Sequence, residues 1–174
     1  MPALEVQTFP LPADDEYPLH ITAKRYRPSP ASKGKEVVQN DDAPTLIVLH
    51  STSFHKETWE PCLEAMFQLA GAKGQQFREA WAIESPNHGE TAPLNTVAFT
   101  TTEYAAQCAC FAFCRDSSAN IPPVGCHGYA KAVYRFLTKG PVSFSSARLI
   151  GVGHSLGANT MYALPFMFAR EKPD

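Results

Sequence analysis

A serine stands between two glycines in the segment LIGVGHSLGANT, residues 149–160. Gly153, Ser155 and Gly157 fit the pattern G-x-S-x-G, which is typical of a sharp strand-to-helix turn that exposes a nucleophilic serine. The glycines are needed because a Cβ at either position would collide with the adjoining strand or helix. Backbone N–H groups and the dipole at the start of the helix favour developing negative charge. The pattern predicts acyl transfer at Ser155, with the N–H of Leu156 as one donor to an oxyanion.

Two other interpretations of this segment stay open. Ser155 could be an ordinary N-cap residue in a glycine-rich turn, its hydroxyl accepting a backbone hydrogen bond. Gly151, Gly153 and Gly157 also approach the dinucleotide-binding pattern G-x-G-x-x-G, but the last glycine comes one residue late and the turn lies deep in the chain. The nucleophile interpretation is favoured because a strand-like run precedes the serine and a helix-like stretch follows it.

Strands and helices are predicted to alternate around this turn. Runs of β-forming residues predict strands at 4–12, 19–28, 45–50, 78–86 and 147–154, the last of them buried. Apolar residues at helical spacing predict three helices, one after residue 55, one over 126–140 and one that starts near 155. Residues 101–114 also have helical character. Pro165 is expected to kink or end the last helix. This order predicts an α/β fold, a mostly parallel sheet flanked by helices, in one partial domain over 1–174.

The remaining segments and the composition limit the possible partners. Residues 28–44 are expected to form an exposed loop, and 95–146 are a poorly readable mixture of helix and loop. The chain has 174 residues, of which 44% are hydrophobic, and a formal net charge of −2, so nucleic acid is not an expected partner. No apolar run approaches the ~18 residues of a transmembrane segment, and the N-terminus lacks the features of a secretory signal. An intracellular location, cytoplasmic or peroxisomal, is expected.

The five cysteines are an odd number without a secretory signal, which indicates reduced thiols. Four of them and one histidine have the donor types that zinc prefers: Cys108, Cys110, Cys114, Cys126 and His127. Their spacing lacks the usual C-x2-C pairs. The expectation is therefore small buried hydrophobic cysteines, no metal site and no cofactor.

Three segments, LIVLHSTSFHKETWEP, AIESPNHGE and LIGVGHSLGA, occur in the order that resembles the amino-terminal part of an α/β-hydrolase. They resemble the oxyanion loop after the third strand, the loop after the fourth strand and the nucleophile elbow. HSTSFHKETWEP paired with SPNHGE is similar to fungal α/β-hydrolases grouped with yeast peroxisomal lipase and toxin-biosynthesis hydrolases. The resemblance covers residues 19–165 and implies an α/β-hydrolase fold that is incomplete on its C-terminal side.

When the roles of the family's residues are transferred by position, the resemblance implies that Ser155 is the nucleophile. It also implies that the N–H groups of Leu156 and Thr52 are the two oxyanion donors. Ser51 stands where the family usually has glycine, and a serine there would be strained if the position needs a positive φ. The geometry of the Thr52 donor therefore depends on the backbone at Ser51.

The histidines and acids divide into two groups. The resemblance makes His50 a shaping residue of the oxyanion loop, places His154 beside the nucleophile and lets His88 line the pocket. All three also have a simpler interpretation as polar residues at strand ends. The other candidates, expected to be surface, loop, solvated or paired groups, are His20, His55, His127, Glu57 and Glu84.

A base for the serine is missing where the fold implies one. The triad of this fold runs Ser, then Asp or Glu, then His along the chain, and residues 156–174 contain no histidine. An upstream histidine could substitute only if its ring pointed at Ser155, which is not expected. The chain is therefore expected to be an incomplete hydrolase, whether a truncated gene model, a fragment or a degenerate product, that is inactive alone.

Three functions follow from these expectations. The first is a serine hydrolase that cleaves an ester, thioester or lipid acyl bond of a small-molecule or lipid-like substrate through an acyl-enzyme. The second is a non-catalytic binding or interaction module that keeps the pocket. The third and least favoured is a nucleotide-binding α/β domain. Oligomeric state and substrate identity do not follow from the sequence.

Overall fold

One mixed β-sheet with helices packed on it organises the chain. The computed structural model describes residues 4–29, 42–74, 76–100 and 124–170. Within these ranges the strands are β1 (Leu4–Leu11), β2 (Ile21–Pro28), β3 (Thr45–Leu49), β4 (Glu79–Ile83) and β5 (Leu149–Gly153). The helices are α1 (Glu60–Ala72), α2 (Thr96–Phe99), α3 (Cys126–Lys139) and α4 (Leu156–Arg170). Short 3₁₀ turns cover Lys56–Trp59, Gly89–Thr91 and Pro93–Asn95.

The strands lie in the order β1-β2-β4-β3-β5. β4, β3 and β5 are parallel, whereas β1 and β2 join the sheet as antiparallel strands. Leu49, the last residue of β3, pairs with Ile83 of β4 and Gly153 of β5. Because the three parallel strands end at the same level, the loops that follow them emerge side by side at one edge of the sheet.

Alternate residues of the central strands face two separate apolar cores. Leu46 and Val48 of β3 pack with Leu63 and Phe67 of α1. The intervening Ile47 and Leu49, together with Trp81 of β4, belong to the second cluster, which includes the apolar residues of α3 and Leu164 of α4. A strand that is apolar on both faces needs cover on both faces, so α1 lies on one side of the sheet and α3 with α4 on the other.

The structure confirms the predicted α/β fold and contains all five predicted strands, with ends trimmed by one to three residues. The expected burial of the last strand is wrong. Leu149 and Ile150 of β5 are 38% and 41% exposed. The physical reason is that β5 is an edge strand in the described part of the chain, paired with β3 alone.

Pro165 does not end the last helix. α4 continues through it to Arg170, although a proline removes one backbone hydrogen bond from the helix. Pro165 lies on an exposed part of α4, where water can reach the carbonyl that loses its donor. The expected helical character of 101–114 and most of the expected loop at 28–44 lie outside the described residues, as do Cys108, Cys110 and Cys114.

Among the described residues, no helix combines the length and the apolar character needed to cross a membrane.

Candidate active site

Three loops meet where the parallel strands end. His50, Glu84 and His154 are the first residues after β3, β4 and β5. We refer to residues 50–55 as the β3 loop and to residues 84–88 as the β4 loop. The register of the strands thus brings together three of the segments that the sequence singled out.

Ser155 lies in the left-handed region of the backbone map, with φ +52°, and is exposed. A Cβ on Gly157 would lie 2.2 Å from the carbonyl oxygen of Leu49, and a Cβ on Gly153 would lie 2.4 Å from the backbone of Gly157. The backbone N–H of His154 donates to the carbonyl of Leu49 at 3.1 Å. Both glycines are therefore required by close backbone approach, and the turn between β5 and α4 has the geometry that the G-x-S-x-G pattern predicts.

The positive φ at Ser155 leads to a stability prediction. A side chain in the left-handed region costs about 1–2 kcal/mol, which glycine avoids. We expect Ser155→Gly to have a free energy of unfolding about 1 kcal/mol higher than Ser155→Ala, because alanine keeps the strain. Urea denaturation of the two variants measures the difference. An alanine variant as stable as the glycine variant would show that the turn is not strained at this residue.

A second positive φ lies in the β3 loop, at Ser53 with φ +64°. The N–H of Phe54 donates to the carbonyl of Ser51 at 3.2 Å, so residues 51–54 form a turn whose third residue is Ser53. Turns of this kind usually place glycine at that position. Ser51 itself has no positive φ. The strain that the sequence suggested at Ser51 is thus found two residues later.

The N–H groups of Thr52 and Leu156 are without an acceptor in the described part of the chain. Leu156 is the first residue of α4, where N–H groups have no partner within the helix. The positive end of the helix dipole adds to the attraction for an anion at this point. The β3 loop and the start of α4 thus each present one backbone N–H that no described acceptor uses, and backbone donors of this kind are the groups that form oxyanion holes.

A buried ionic cluster lies behind the β3 loop. Oε1 of Glu84 lies 2.9 Å from Nε2 of His50, and Oε2 lies 3.0 Å from Nζ of Lys56. The side chains of all three residues are fully buried. Nζ of Lys56 also contacts Glu57 at 2.9 Å and Glu90 at 2.8 Å. Charged groups survive burial only when they are paired in this way.

The charges of this cluster hold the Glu84 carboxyl ionised. Burial by itself raises the pKa of Glu84, but hydrogen bonding and charge from His50 and Lys56 outweigh burial and keep that pKa below its ordinary value. For Lys56, burial lowers the pKa, and its bonds to Glu90, Glu84 and Glu57 outweigh burial and raise it. Both groups are therefore charged at neutral pH.

His88 connects the β4 loop to the β3 loop. The backbone N–H of Ser53 donates to Nε2 of His88 at 3.1 Å, and Nδ1 lies 2.8 Å from Oδ1 of Asn87. Because Nε2 accepts, the proton lies on Nδ1. Burial, followed by the charge of His50, lowers the pKa of His88 to about 4. His88 is thus a neutral ring with one fixed tautomer at physiological pH.

No base for Ser155 is found among the residues that the structure describes. The serine hydroxyl makes no hydrogen bond there. His50 uses Nδ1 toward the Ser51 carbonyl and Nε2 toward the β4 loop, and both nitrogens of His88 are bonded as well. His154 is exposed beside the serine, with its ring 6.2 Å from that of Phe54. The proposal that an upstream histidine replaces the missing base thus has no contact to support it.

The remaining polar candidates are His55, His20, His127 and Glu57. His55 contacts Glu57 at 2.8 Å, His20 lies in the loop before β2 and His127 is an exposed residue in the first turn of α3. Burial raises the pKa of Glu57, but its bonds to Lys56, Lys24 and His55 outweigh burial and lower that pKa to about 2. Within the described ranges, no group of three His, Cys, Asp or Glu residues could hold a metal ion.

The sequence did not single out Lys56 as a residue of the site, and it did not predict that the side chain of Glu84 is fully buried. Lys56 in HKETWE reads as an ordinary solvated lysine, and Glu84 was expected to be solvated or paired. One signal was available, namely Gly89, which has φ +48° and whose Cβ would lie 2.2 Å from Oε2 of Glu84. A glycine six residues after a buried strand indicates that another group approaches the backbone there, but it does not identify that group.

Comparison with solved structures shows that this arrangement is similar to the α/β-hydrolase fold. The peroxisomal alpha-beta-hydrolase Lpx1 (Yor084w) from Saccharomyces cerevisiae matches 94% of this chain with a TM-score of 0.62 at 16% sequence identity. The crystal structure of an aCif variant matches 91% of this chain with a TM-score of 0.50 at 11% identity. No family model matches the sequence, and no curated protein matches it significantly.

The chain spans 41% of the length of the Lpx1 chain and 33% of the aCif chain. Sequence identities this low support a shared fold but give no information about a shared activity. The sheet order, the tight serine turn after β5 and these two similarities together show that the chain has the α/β-hydrolase fold over the part of that fold it spans.

Proposed function

We propose that the chain carries the nucleophile and oxyanion hole of a serine hydrolase, and that Ser155 forms an acyl-enzyme with an ester, thioester or lipid acyl substrate. The observation that carries the proposal is the strained, exposed serine with φ +52° between two glycines that only close backbone approach explains. Strain of this kind persists where the surrounding structure requires it, often at functional sites.

The chemistry assigns one task to each group. Oγ of Ser155 attacks the acyl carbon while the N–H groups of Thr52 and Leu156 stabilise the oxygen as it becomes negative. The bond to the alcohol or thiol then breaks, and a base takes the serine proton and gives it to the leaving group. Water releases the acyl group by the same steps in reverse order. The base is not found among the described residues, so we propose that this chain by itself completes this cycle slowly or not at all.

A fluorophosphonate probe tests the nucleophile in a single step. Its phosphorus forms a bond to Oγ of Ser155, fluoride leaves and the serine proton goes to solvent or buffer. Because no described base activates the serine, the adduct forms slowly and is read after hours of incubation. We expect the wild-type chain to be labelled, with mass spectrometry placing the adduct on Ser155. We expect Ser155→Ala to lose the label completely. Ser145→Ala, which changes an exposed serine elsewhere, is the matched control and keeps it.

A non-catalytic binding module is the second candidate. The absence of any described base within reach of Ser155 favours it, since a binding pocket needs none. A folded wild-type chain that takes up no probe over hours, with the same circular dichroism and melting temperature as Ser155→Ala, would support this second function and remove the first.

The location and substrate class are parts of the same proposal. The similarity to a peroxisomal hydrolase supports an intracellular role, in the cytoplasm or in peroxisomes, and a lipid-like acyl substrate is consistent with that setting. Esters of graded acyl length, added to the unlabelled chain together with the probe, would show which acyl groups compete with the probe for Ser155.

A further inference from the structure

We propose that Glu84 is a positioning residue that holds the β3 loop in the shape required for the Thr52 N–H to bind an oxyanion. This inference rests on the proposed function, because it concerns the same oxyanion hole. It assigns a role to a buried carboxylate that the serine chemistry does not otherwise use.

One carboxylate reaches both ends of the β3 loop. Oε1 of Glu84 lies 2.9 Å from Nε2 of His50, the first residue of the loop, and accepts the backbone N–H of Lys56, directly after the loop, at 3.1 Å. Oε2 accepts from Nζ of Lys56 at 3.0 Å. Gly89 leaves the space that this carboxylate occupies. Glu84 thus fixes the separation of the two ends of the loop from a position directly after the neighbouring strand β4.

His50 transmits this contact to the proposed oxyanion donor. Its Nδ1 lies 2.8 Å from the carbonyl oxygen of Ser51, and because a carbonyl only accepts, Nδ1 carries a proton. That carbonyl belongs to the same peptide group as the N–H of Thr52. The described chain has no cis peptide bonds, so the C=O and N–H of this group point in opposite directions. Fixing the carbonyl against His50 therefore fixes the direction of the Thr52 N–H.

The bond to His50 also strengthens the donor. Hydrogen bonds in a chain polarise one another, and a peptide whose carbonyl accepts a bond donates more strongly through its N–H. The effect is larger when the donor to the carbonyl bears charge. Oε1 of the fully buried Glu84 lies 2.9 Å from Nε2 on the other side of the same ring, so the line of contacts runs from a buried carboxylate to the Thr52 N–H.

Nε2 of His50 has a competing partner that makes this claim measurable. The backbone N–H of Ser85 lies 3.0 Å from the same nitrogen, and one nitrogen cannot donate to Glu84 and accept from Ser85 at once. With Glu84 ionised, we infer that the proton lies on Nε2 and is directed at Oε1. Without the carboxylate, the neutral ring would accept the N–H of Ser85 instead. The ¹⁵N signal of Nε2 distinguishes the two states.

Glu84→Gln is the variant that tests the inference. The amide has one accepting oxygen where the carboxylate has two, so it cannot serve His50, the Lys56 N–H and the Lys56 ammonium together. The matched control is Glu90→Gln, because Glu90 contacts the same ammonium at 2.8 Å but neither His50 nor the backbone of the β3 loop. Comparison of the two variants separates the loss of a partner of Lys56 from the loss of the contact with the loop.

The experiment measures fluorophosphonate labelling of Ser155, amide exchange at Lys56 and the ring ¹⁵N signals of His50. We expect Glu84→Gln to slow labelling about tenfold, a part of the effect of deleting an oxyanion donor, to speed exchange at Lys56 about tenfold and to remove the proton from Nε2. We expect Glu90→Gln to match the wild type in all three. Equal labelling and equal exchange in Glu84→Gln and wild type would overturn the inference.

Two further outcomes are distinguishable. If Glu84→Gln does not fold, the wild-type spectrum decides, because a His50 ring without a proton on Nε2 contradicts the proposed contact and a protonated Nε2 supports it. If the wild-type chain takes up no probe, the proposed hydrolase function fails, while amide exchange and the ring signals still report whether Glu84 holds the loop.

Discussion

Gly157→Ala is expected to lower the free energy of unfolding by about 3 kcal/mol, near the upper end of the range for overpacking, and to abolish labelling of Ser155. The added Cβ would lie 2.2 Å from the carbonyl oxygen of Leu49 and 2.8 Å from that of His50. Both neighbours are backbone atoms at the end of β3, so no side-chain rotation can relieve the contact. Either α4 moves away from the sheet or the β3 loop shifts, and each movement separates Ser155 from the Thr52 donor.

The control for this prediction is Gly71→Ala. Gly71 lies in α1, and a Cβ there meets no atom within 4 Å, so the substitution gains helix propensity of up to about 1 kcal/mol. Urea denaturation with circular dichroism gives both stabilities, and the fluorophosphonate probe gives the activity of the serine. Equal stability of Gly157→Ala and the wild type would contradict the close approach of Gly157 to the backbone of Leu49.

The serine turn was predictable because it depends on local rules. Ser155, Gly153 and Gly157 lie within five residues, and their pattern between a strand-like run and a helix-like stretch identifies the turn without reference to the segments that pack against it. The continuous apolar runs of β3 and β4 similarly indicated strands covered on both faces. These features required no knowledge of distant contacts.

The ionic cluster was not predictable because it depends on contacts between segments far apart in the chain. Lys56 follows a loop rich in polar residues, and only the pairing of β3 with β4 brings it to Glu84, 28 residues later. The strain at Ser53 rather than Ser51 depends in the same way on His88, which accepts the Ser53 N–H from another loop. The exposure of β5 reflects its position at the sheet edge, which the composition of that strand does not reveal.

Lys56→Met is expected to lower the free energy of unfolding by about 3 kcal/mol at pH 7, the lower end of the range for breaking a buried ion pair. Methionine fills a similar volume, so packing changes little, but the Glu84 carboxylate stays buried and loses the ammonium group that lies 3.0 Å from its Oε2. Lys24→Met is the matched control. The Lys24 side chain is 21% exposed and pairs with Glu57 at 3.0 Å, and a pair near the surface contributes less than about 1 kcal/mol.

The pH dependence of the stability difference tests whether Lys56 acts through the charge of Glu84. The folded pKa of Glu84 lies below the ordinary value of a glutamate, so its pairing contributes stability that is fully present above that ordinary value and is lost as the pH falls through the folded pKa. Without Lys56, less charge opposes the effect of burial, so the folded pKa of Glu84 is higher than in the wild type, and the protonated carboxyl needs no counter-charge. The gap between wild type and Lys56→Met should therefore be largest near neutral pH and should shrink as the solution is acidified. Denaturation midpoints at pH 7, 5 and 4 measure this gap, and a gap that stays constant or widens toward acid would show that the lysine acts through packing rather than through the charge of Glu84.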